Sequence, residues 1–176
     1  MAEEFYGTLE GAAEYHAARN NTAWEGAPDS PDSPDDYRMA ALIRASDYID
    51  ATYRARFSGS KVGGRAQMRE WPRIDAVDAS GEEIDDETVP IEIERATYEA
   101  ALRELEQPGS LSPDFVAAQQ VVRERVEGAV EVQYSEKIVG VGSVTPVVSI
   151  IDGILSGLLT GGASTGGTSV SFFRRA

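Results

Sequence analysis

The sequence predicts a mainly α-helical fold: a small helical bundle that carries an extended β-arm or hairpin and a C-terminal docking tail. Apolar residues recur at three- and four-residue steps over residues 41–57, as in an amphipathic helix. Apolar and polar residues alternate over residues 121–141, as in a strand. The chain ends in a Gly/Ser/Thr-rich stretch with an apolar and basic tip. We therefore divide it into a helical body (1–120), an extended β-arm (121–143) and a short amphipathic helix with a docking tail (144–176).

The helix over residues 41–57 supplies most of the predicted core. Its apolar side chains share one face, which must be covered by other elements. Further along the chain, Pro72 excludes a helical conformation at the preceding tryptophan, so we expect a turn there around a buried aromatic ring. The predicted core residues are Leu42, Ile49, Tyr53 and Trp71.

Local signals place the start and the polar face of this helix. The segment Ser33-Pro34-Asp35-Asp36 combines a capping serine, a proline at the first helical position and two acids near the positive helix end. Asp47 and Asp50 fall on the face opposite the apolar one. Asp50 and Arg54 are spaced for a favourable ion pair one turn apart.

Two further helices are predicted in the body. Thr8 can cap a helix over residues 9–19. Thr88 can cap a later helix that has Pro90 just inside it, and whose apolar residues form two stripes on opposite sides. Such a helix is expected to lie between two neighbours. The acidic segment before it is expected to be irregular, with a turn at residues 78–81.

The second half of the chain changes character. Residues 112–120 begin with Ser-Pro-Asp and are interpreted as a short helix. The alternating residues that follow predict an extended strand or arm, with Gly128 as a candidate bulge. An alternative is that residues 119–126 prolong the preceding helix instead.

The C-terminal segment is the predicted partner-binding region. A short helix that opens at Thr145-Pro146 has one apolar face, with Asp152 turned away from it, and needs a covering surface on its own body or on a neighbour. Two adjacent phenylalanines and two arginines near the chain end are suited to docking, although the tip could instead fold back onto its own chain. The predicted partner-binding residues are Ile151, Leu155, Val170, Phe172, Phe173, Arg174 and Arg175.

Composition limits the classes of function. The chain of 176 residues has 30 acidic and 16 basic residues, giving a formal net charge of −14, and no cysteine. Residues 137–176 carry a net +2, so residues 1–136 carry −16. Such a body repels nucleic acid and anionic membranes. The absence of cysteine, of a signal-peptide pattern and of a long apolar run predicts a soluble protein of a reducing compartment with no membrane partner.

No pattern of catalytic, metal-binding or cofactor-binding residues emerges. His16 is the only histidine, which excludes a histidine-rich zinc site and leaves a serine nucleophile without a supporting motif. The acidic residues 75–86 lack the spacing of a calcium loop. Residues 161–168 lack the lysine of a phosphate loop, and residues 139–142 lack the third glycine of a dinucleotide fingerprint. We therefore expect no enzymatic activity and no cofactor.

One basic stretch interrupts the acidic body, between residues 53 and 73. Aromatic residues interleave with bases there, as in platforms that bind single-stranded nucleic acid. The isoelectric point of about 4.4 argues against that use, and ion pairs with acidic faces are the preferred interpretation. The residues are Tyr53, Arg54, Arg56, Phe57, Lys61, Arg65, Arg69, Trp71 and Arg73.

The same part of the chain carries a family resemblance. A helix reading ALIRA-x-DYID, an aromatic residue, a glycine-containing loop, a glutamine and a terminal WPR are the features concerned. They resemble the head–tail adaptors (connectors) of tailed phages and gene transfer agents, a family also labelled DnaT-like single-stranded-DNA-binding proteins. The likeness covers residues 8–106 well and the rest loosely. The matching positions are 41–45, 47–50, Phe57, Gly59, Gln67 and 71–73, with 9–19, Trp24, 89–90, 95–97 and 100–102 outside them.

The resemblance implies a structural role in a virion. Family members form dodecameric rings that join the portal to the stopper or tail, and the genome passes through the ring without specific binding. On that basis we expect self-association, binding to portal and to a stopper or tail-completion protein, and a location in the virion neck after assembly in the host cytoplasm. The alternatives are a DnaT-like single-stranded-DNA-binding protein and a scaffolding or regulatory protein unrelated to virions.

Overall fold

The computed structural model describes residues 4–26, 34–112 and 148–160 and the backbone of two short strands between them. About half of the described residues are helical, so the fold is mainly α, as predicted. The α-helices are α1 (Leu9–Ala17), α2 (Thr22–Glu25), α3 (Pro34–Tyr53), α4 (Ile91–Glu106) and α5 (Ser149–Leu155), and the strands are β1 (Ser60–Lys61), β2 (Arg73–Ile74), β3 (Glu124–Val126) and β4 (Val130–Val132). Within these residues no helix is both long and apolar enough to cross a bilayer.

The core forms where α3 packs against α4, and α4 packs in turn against α5. Leu42 and Ile49 of α3 and Ala96 and Ala100 of α4 belong to one cluster of buried residues, and small alanines allow helices to approach closely. Leu42, Ile49, Tyr53 and Trp71, the expected core residues, are at most 2% exposed.

Helix α3 begins at Pro34, as predicted, but ends earlier than expected. Its α-helical part stops at Tyr53, and a single 3₁₀ turn over Arg54–Arg56 follows. Phe57 is then extended, and its ring lies 5.5 Å from that of Trp71 in an edge-to-face arrangement. The Trp71–Pro72 peptide bond is cis. The apolar spacing in the sequence includes Phe57 because its side chain is buried in the core. The α-helix itself already ends at Tyr53.

Helix α4 shows a second difference from the prediction. Pro90, and not Thr88, stands at the cap position, where no side chain accepts a hydrogen bond from the first turn. The backbone carbonyl of Pro90 accepts the amides of Ile93 and Glu94 instead. The helix lies between neighbours, as expected, although Ile91 at its start is exposed.

Helices α1 and α2 pack against α4. Thr8 caps α1 as predicted, because its hydroxyl accepts the amide of Gly11 at 2.9 Å. The amide of Thr8 donates to the hydroxyl of Tyr98 at 3.1 Å. The backbone at Gly7 passes so close to that tyrosine that a Cβ would overlap its ring, and Gly7 has a φ of +75°.

Between α3 and α4, residues 54–90 form an irregular segment that contains the β1–β2 pair. We call this segment the excursion. The strands are antiparallel, with Ser60 opposite Ile74 and Lys61 opposite Arg73. The acidic segment that follows contains the predicted turn, since the Asp78 carboxylate accepts the amides of Ser80 at 2.7 Å and Glu82 at 2.9 Å.

The second half agrees in part with the sequence. Strands β3 and β4 pair antiparallel with Glu124 opposite Val132, so residues 124–126 are strand and do not prolong a helix. Gly128, the predicted helix over residues 112–120 and the tail residues Val170, Phe172, Phe173, Arg174 and Arg175 lie outside the described residues, apart from Ser112.

Helix α5 corrects the prediction for its apolar face. Ile151 and Leu155, expected to bind a partner, are fully buried against the chain's own body. Asp152, expected to face away, instead accepts a hydrogen bond of 2.6 Å from the hydroxyl of Tyr53. Ile150, on the predicted apolar face, is exposed. The body thus supplies the covering surface, because α5 packs on α4, and Leu159 and Thr160 after it pair with Phe57 and Arg56 just beyond the end of α3.

Candidate functional site

The basic stretch between residues 53 and 73 is the predicted site that the structure describes most fully. Its three aromatic rings, those of Tyr53, Phe57 and Trp71, are all buried in the core. A base can stack only on a ring face that solvent reaches. These aromatics therefore do not form the single-strand platform that their spacing suggested.

Arg69 is the most enclosed base of the stretch. Its guanidinium lies 2.7 Å from the Asp47 carboxylate and 3.4 Å from that of Asp50, both on α3. It also donates to the backbone carbonyl of Glu4 through Nε, at 2.9 Å, and through its NH2 group. One side chain thus joins the N-terminal segment, α3 and the excursion, and its charge is neutralised from inside the molecule.

Asp50 takes part in a buried network and not in the predicted pair with Arg54. The hydroxyl of Tyr6 donates to its carboxylate at 2.5 Å and accepts the amides of Glu70 at 2.9 Å and Trp71 at 3.2 Å. Burial raises the pKa of Asp50 and outweighs the lowering by Tyr6 and Arg69. Burial and the neighbouring carboxylate raise the pKa of the Tyr6 hydroxyl, which keeps it protonated as the donor.

Arg73 closes the β1–β2 excursion on itself. Its Nε donates to the carbonyl of Ser58 at 2.7 Å, its NH2 group to that of Gly59 at 2.8 Å, and its NH1 group to the Glu70 carboxylate at 2.8 Å. Lys61 donates to the carbonyl of Gln67 at 2.9 Å and lies 3.9 Å from Glu70. These bases are therefore used to hold the excursion together.

The exposed part of the excursion carries both basic and apolar side chains that are not used in this internal network. Arg54 and Arg65 are exposed to solvent. Three apolar side chains are exposed on the same excursion: Val62 at 48%, Met68 at 60% and Ile74 at 37%. We call these three residues the hairpin surface. Sequence reasoning missed it, because single apolar residues in a polar loop show no periodicity; the signal was available only through the pairing of β1 with β2.

An acidic stretch adjoins the hairpin surface. Residues 75–87 contain seven carboxylates and no basic residue. The described residues hold no group of acidic or histidine side chains arranged to bind a metal ion. None of the ion pairs found in the described part of the chain involves these seven carboxylates. Asp78 and Asp85 accept backbone amides, and none of the seven carboxylates is neutralised by an ion pair of the described residues.

His16 has a structural environment. Its ring stacks on that of Trp24 with centroids 4.9 Å apart. One ring nitrogen lies 3.2 Å from the carbonyl of Tyr98, and the other lies 3.2 Å from the side-chain amide of Asn21. Burial lowers the pKa of the imidazole. The residue thus fastens α1 and α2 to α4.

Comparison with known proteins identifies a family. A family model described as "Putative DnaT-like ssDNA binding protein" matches residues 2–175. Comparisons with curated proteins and with solved structures give no match. Because the family model spans nearly the whole sequence, the chain belongs to this DnaT-like family.

Proposed function

We propose that the protein is a non-catalytic assembly protein, a head–tail adaptor that joins the portal of a tailed phage or phage-like particle to the stopper or tail. The proposal is supported mainly by the environment of the basic stretch in the folded chain. Its aromatic rings are buried, and Arg69 and Arg73 are neutralised by carboxylates and carbonyls of the same chain. These residues therefore hold the excursion together and are not arranged as a platform for nucleic acid.

Electrostatics supports the same proposal. Residues 1–136 carry a net charge of −16, and an acidic surface repels the phosphate backbone. A protein that lines a channel for passing DNA benefits from such repulsion, because the DNA does not adhere. A protein that stores single strands does not benefit from it.

The residues that carry the family resemblance support a structural role, because they form the framework of the fold. Several of the motif positions are core residues, among them Ala41, Leu42, Ala45, Ile49 and Trp71. They fix the packing of α3 and the excursion and leave the surface to determine the partner. On this proposal the chain associates with itself in a ring, dodecameric in the family that the sequence resembles, and contacts portal on one side and a stopper or tail-completion protein on the other.

The C-terminal residues are proposed as the portal-binding element. Residues 170–175 combine apolar and basic side chains, which suit insertion into a groove or strand addition with ion pairs at the rim. Particles assembled with a chain that lacks residues 161–176 should fail to retain the adaptor on sedimentation, whereas the full chain should co-sediment with portal-bearing particles. Unaltered attachment of the truncated chain would refute this role.

A second candidate is single-stranded-DNA binding, which the description of the matched family favours. Of the stretch's bases, Arg54 and Arg65 are exposed and could contact phosphates. If this candidate is right, replacing both by glutamate should weaken oligonucleotide binding and reduce its dependence on salt. If the adaptor proposal is right, the double variant should change neither.

A further inference from the structure

We propose that the hairpin surface, formed by Val62, Met68 and Ile74, holds residues 170–175 of the same chain before a partner takes them. The proposal concerns the free protein and does not depend on which partner the C-terminal residues later bind. The C-terminal residues would cover this exposed apolar surface. In turn, the surface would shield Phe172 and Phe173 from water, to which two adjacent phenylalanines are costly to expose.

The geometry of the β1–β2 pair turns the surface away from the body. Residues opposite each other in an antiparallel pair lie on the same face, and successive residues alternate. Lys61 and Arg73 are opposite each other and point to Glu70 and the core side. Ile74 lies opposite Ser60, and Val62 is two residues further along the same face. That face is consequently directed to solvent, in agreement with the exposure of Val62 and Ile74.

Chemical complementarity favours the C-terminal residues as the occupant. The sequence from Val170 to Arg175 is Val-Ser-Phe-Phe-Arg-Arg, two basic residues directly after an apolar group. The hairpin surface is apolar, and seven carboxylates follow directly after Ile74 in residues 75–87. Docking would cover Phe172 and Phe173 with apolar side chains and place both arginines against an acidic stretch that uses none of its charges in the described ion pairs.

The path of the chain makes the contact accessible. Both the amide and the hydroxyl of Thr160 donate to the carbonyl of Arg56, at 2.9 Å and 3.0 Å, so the last described residue lies beside the root of the excursion. Val62 is six residues from Arg56, at most about 22 Å along the chain. The nine residues 161–169 can span up to about 30 Å.

The short linker favours binding of residues 170–175 of the same chain over binding of those residues from a second copy. A segment joined by a short linker has an effective concentration of roughly millimolar, far above that of a second copy in dilute solution. We therefore assign the contact to one chain.

Methyl NMR of the full chain tests the contact directly. Met68 is the exposed methionine of the described residues, and Met39 on α3 is an internal reference. In protein labelled at methionine methyls and phenylalanine rings, the Met68 methyl should show NOEs to Phe172 and Phe173. The F172A/F173A variant should return its shift toward the random-coil value and leave Met39 unchanged. No such NOE and no shift change would overturn the proposal.

Two further readouts make the assignment specific. In a mixture of separately labelled chains, NOEs found only between molecules would overturn the same-chain assignment. Backbone order parameters at Phe172 and Phe173 should fall below about 0.6 in V62D. They should be unchanged in I91D, which places the same charge at an equally exposed isoleucine on α4, since Val62 and Ile91 are both 48% exposed. Equal loss of order in both variants, or in neither, would contradict a contact at the hairpin surface.

Discussion

At the scale of single residues, Arg69 connects three parts of the chain that are distant in sequence. It is nearly buried and meets Asp47, Asp50 and the carbonyl of Glu4. Removing one partner of a buried ion pair is costly because the other charge is left without compensation. The arginine is therefore expected to contribute to stability far more than the exposed bases of the same stretch.

We predict that Arg69→Ala lowers the free energy of unfolding by roughly 3–5 kcal/mol. The matched control is Arg65→Ala, an exposed arginine of the same excursion, which should change it by less than about 0.5 kcal/mol. Urea unfolding followed by the fluorescence of Trp24 and Trp71 measures both. Similar effects of the two substitutions would show that the Arg69 network does not hold the excursion.

Two glycines with the same backbone conformation test the close approach at the root of the excursion. Gly59 and Gly64 have φ values of +66° and +55°, so alanine is strained at both. A Cβ at Gly59 would overlap the Ile74 carbonyl, whereas at Gly64 it would meet nothing within 4 Å. Thermal unfolding should therefore show a melting temperature clearly lower for Gly59→Ala than for Gly64→Ala. Equal shifts would mean that the approach is not tight.

His16 gives the stability a defined dependence on pH. Burial lowers the pKa of its imidazole below the value of 6.5 expected in the unfolded chain. Between the two pKa values the unfolded state binds more protons, so stability rises with pH in that window. It is lost as pH falls from 6.5 through the lowered pKa of the folded state. His16→Gln should be less stable at pH 7 and should lose this slope. A wild-type slope unchanged in the variant would contradict the assignment.

At the scale of secondary-structure elements, α5 belongs to the body. Its position next to α4 rests on Ile151 and Leu155, whereas its neighbour Ile150 is 51% exposed. Ile151→Ala should cost about 2–5 kcal/mol of unfolding free energy, and Ile150→Ala less than about 0.5 kcal/mol. Denaturant titration distinguishes the two. Equal effects would restore the interpretation of α5 as an element that docks on another molecule.

Local sequence signals predicted the elements better than their contacts. The apolar face of α3, the Thr8 cap and the turn at Asp78 follow from spacing and residue type, and the structure contains all three. The partners of Asp50 and Asp152 did not follow from the sequence. Tyr53 and Asp152 are 99 residues apart, and no periodicity encodes such a contact.

The candidate site shows the same limit. Alternating bases and aromatics suggested a platform, but burial of Tyr53, Phe57 and Trp71 depends on which elements cover them. The hairpin surface depends on the strand register that places Ser60 opposite Ile74. Strands of two residues are too short for a sequence pattern to predict that register. Residues that act through long-range pairing therefore became visible only in the folded chain.

At the scale of the whole molecule, charge and burial point to association with proteins. The acidic charge repels a phosphate backbone, and Arg69 and Arg73 are neutralised within the chain, whereas the matched family is described by single-stranded-DNA binding. On the proposed function, association with portal or with further copies would use the exposed faces of the body. On the proposed function, this chain assembles with other proteins and does not capture single strands.

The most direct test is a fluorescence-anisotropy titration of a labelled single-stranded oligonucleotide with the full chain. It should be made at about 50 mM and about 200 mM salt, since phosphate contacts weaken steeply over that range. The account predicts no saturable binding at either concentration. Saturable binding at the lower salt that is lost at the higher would contradict it.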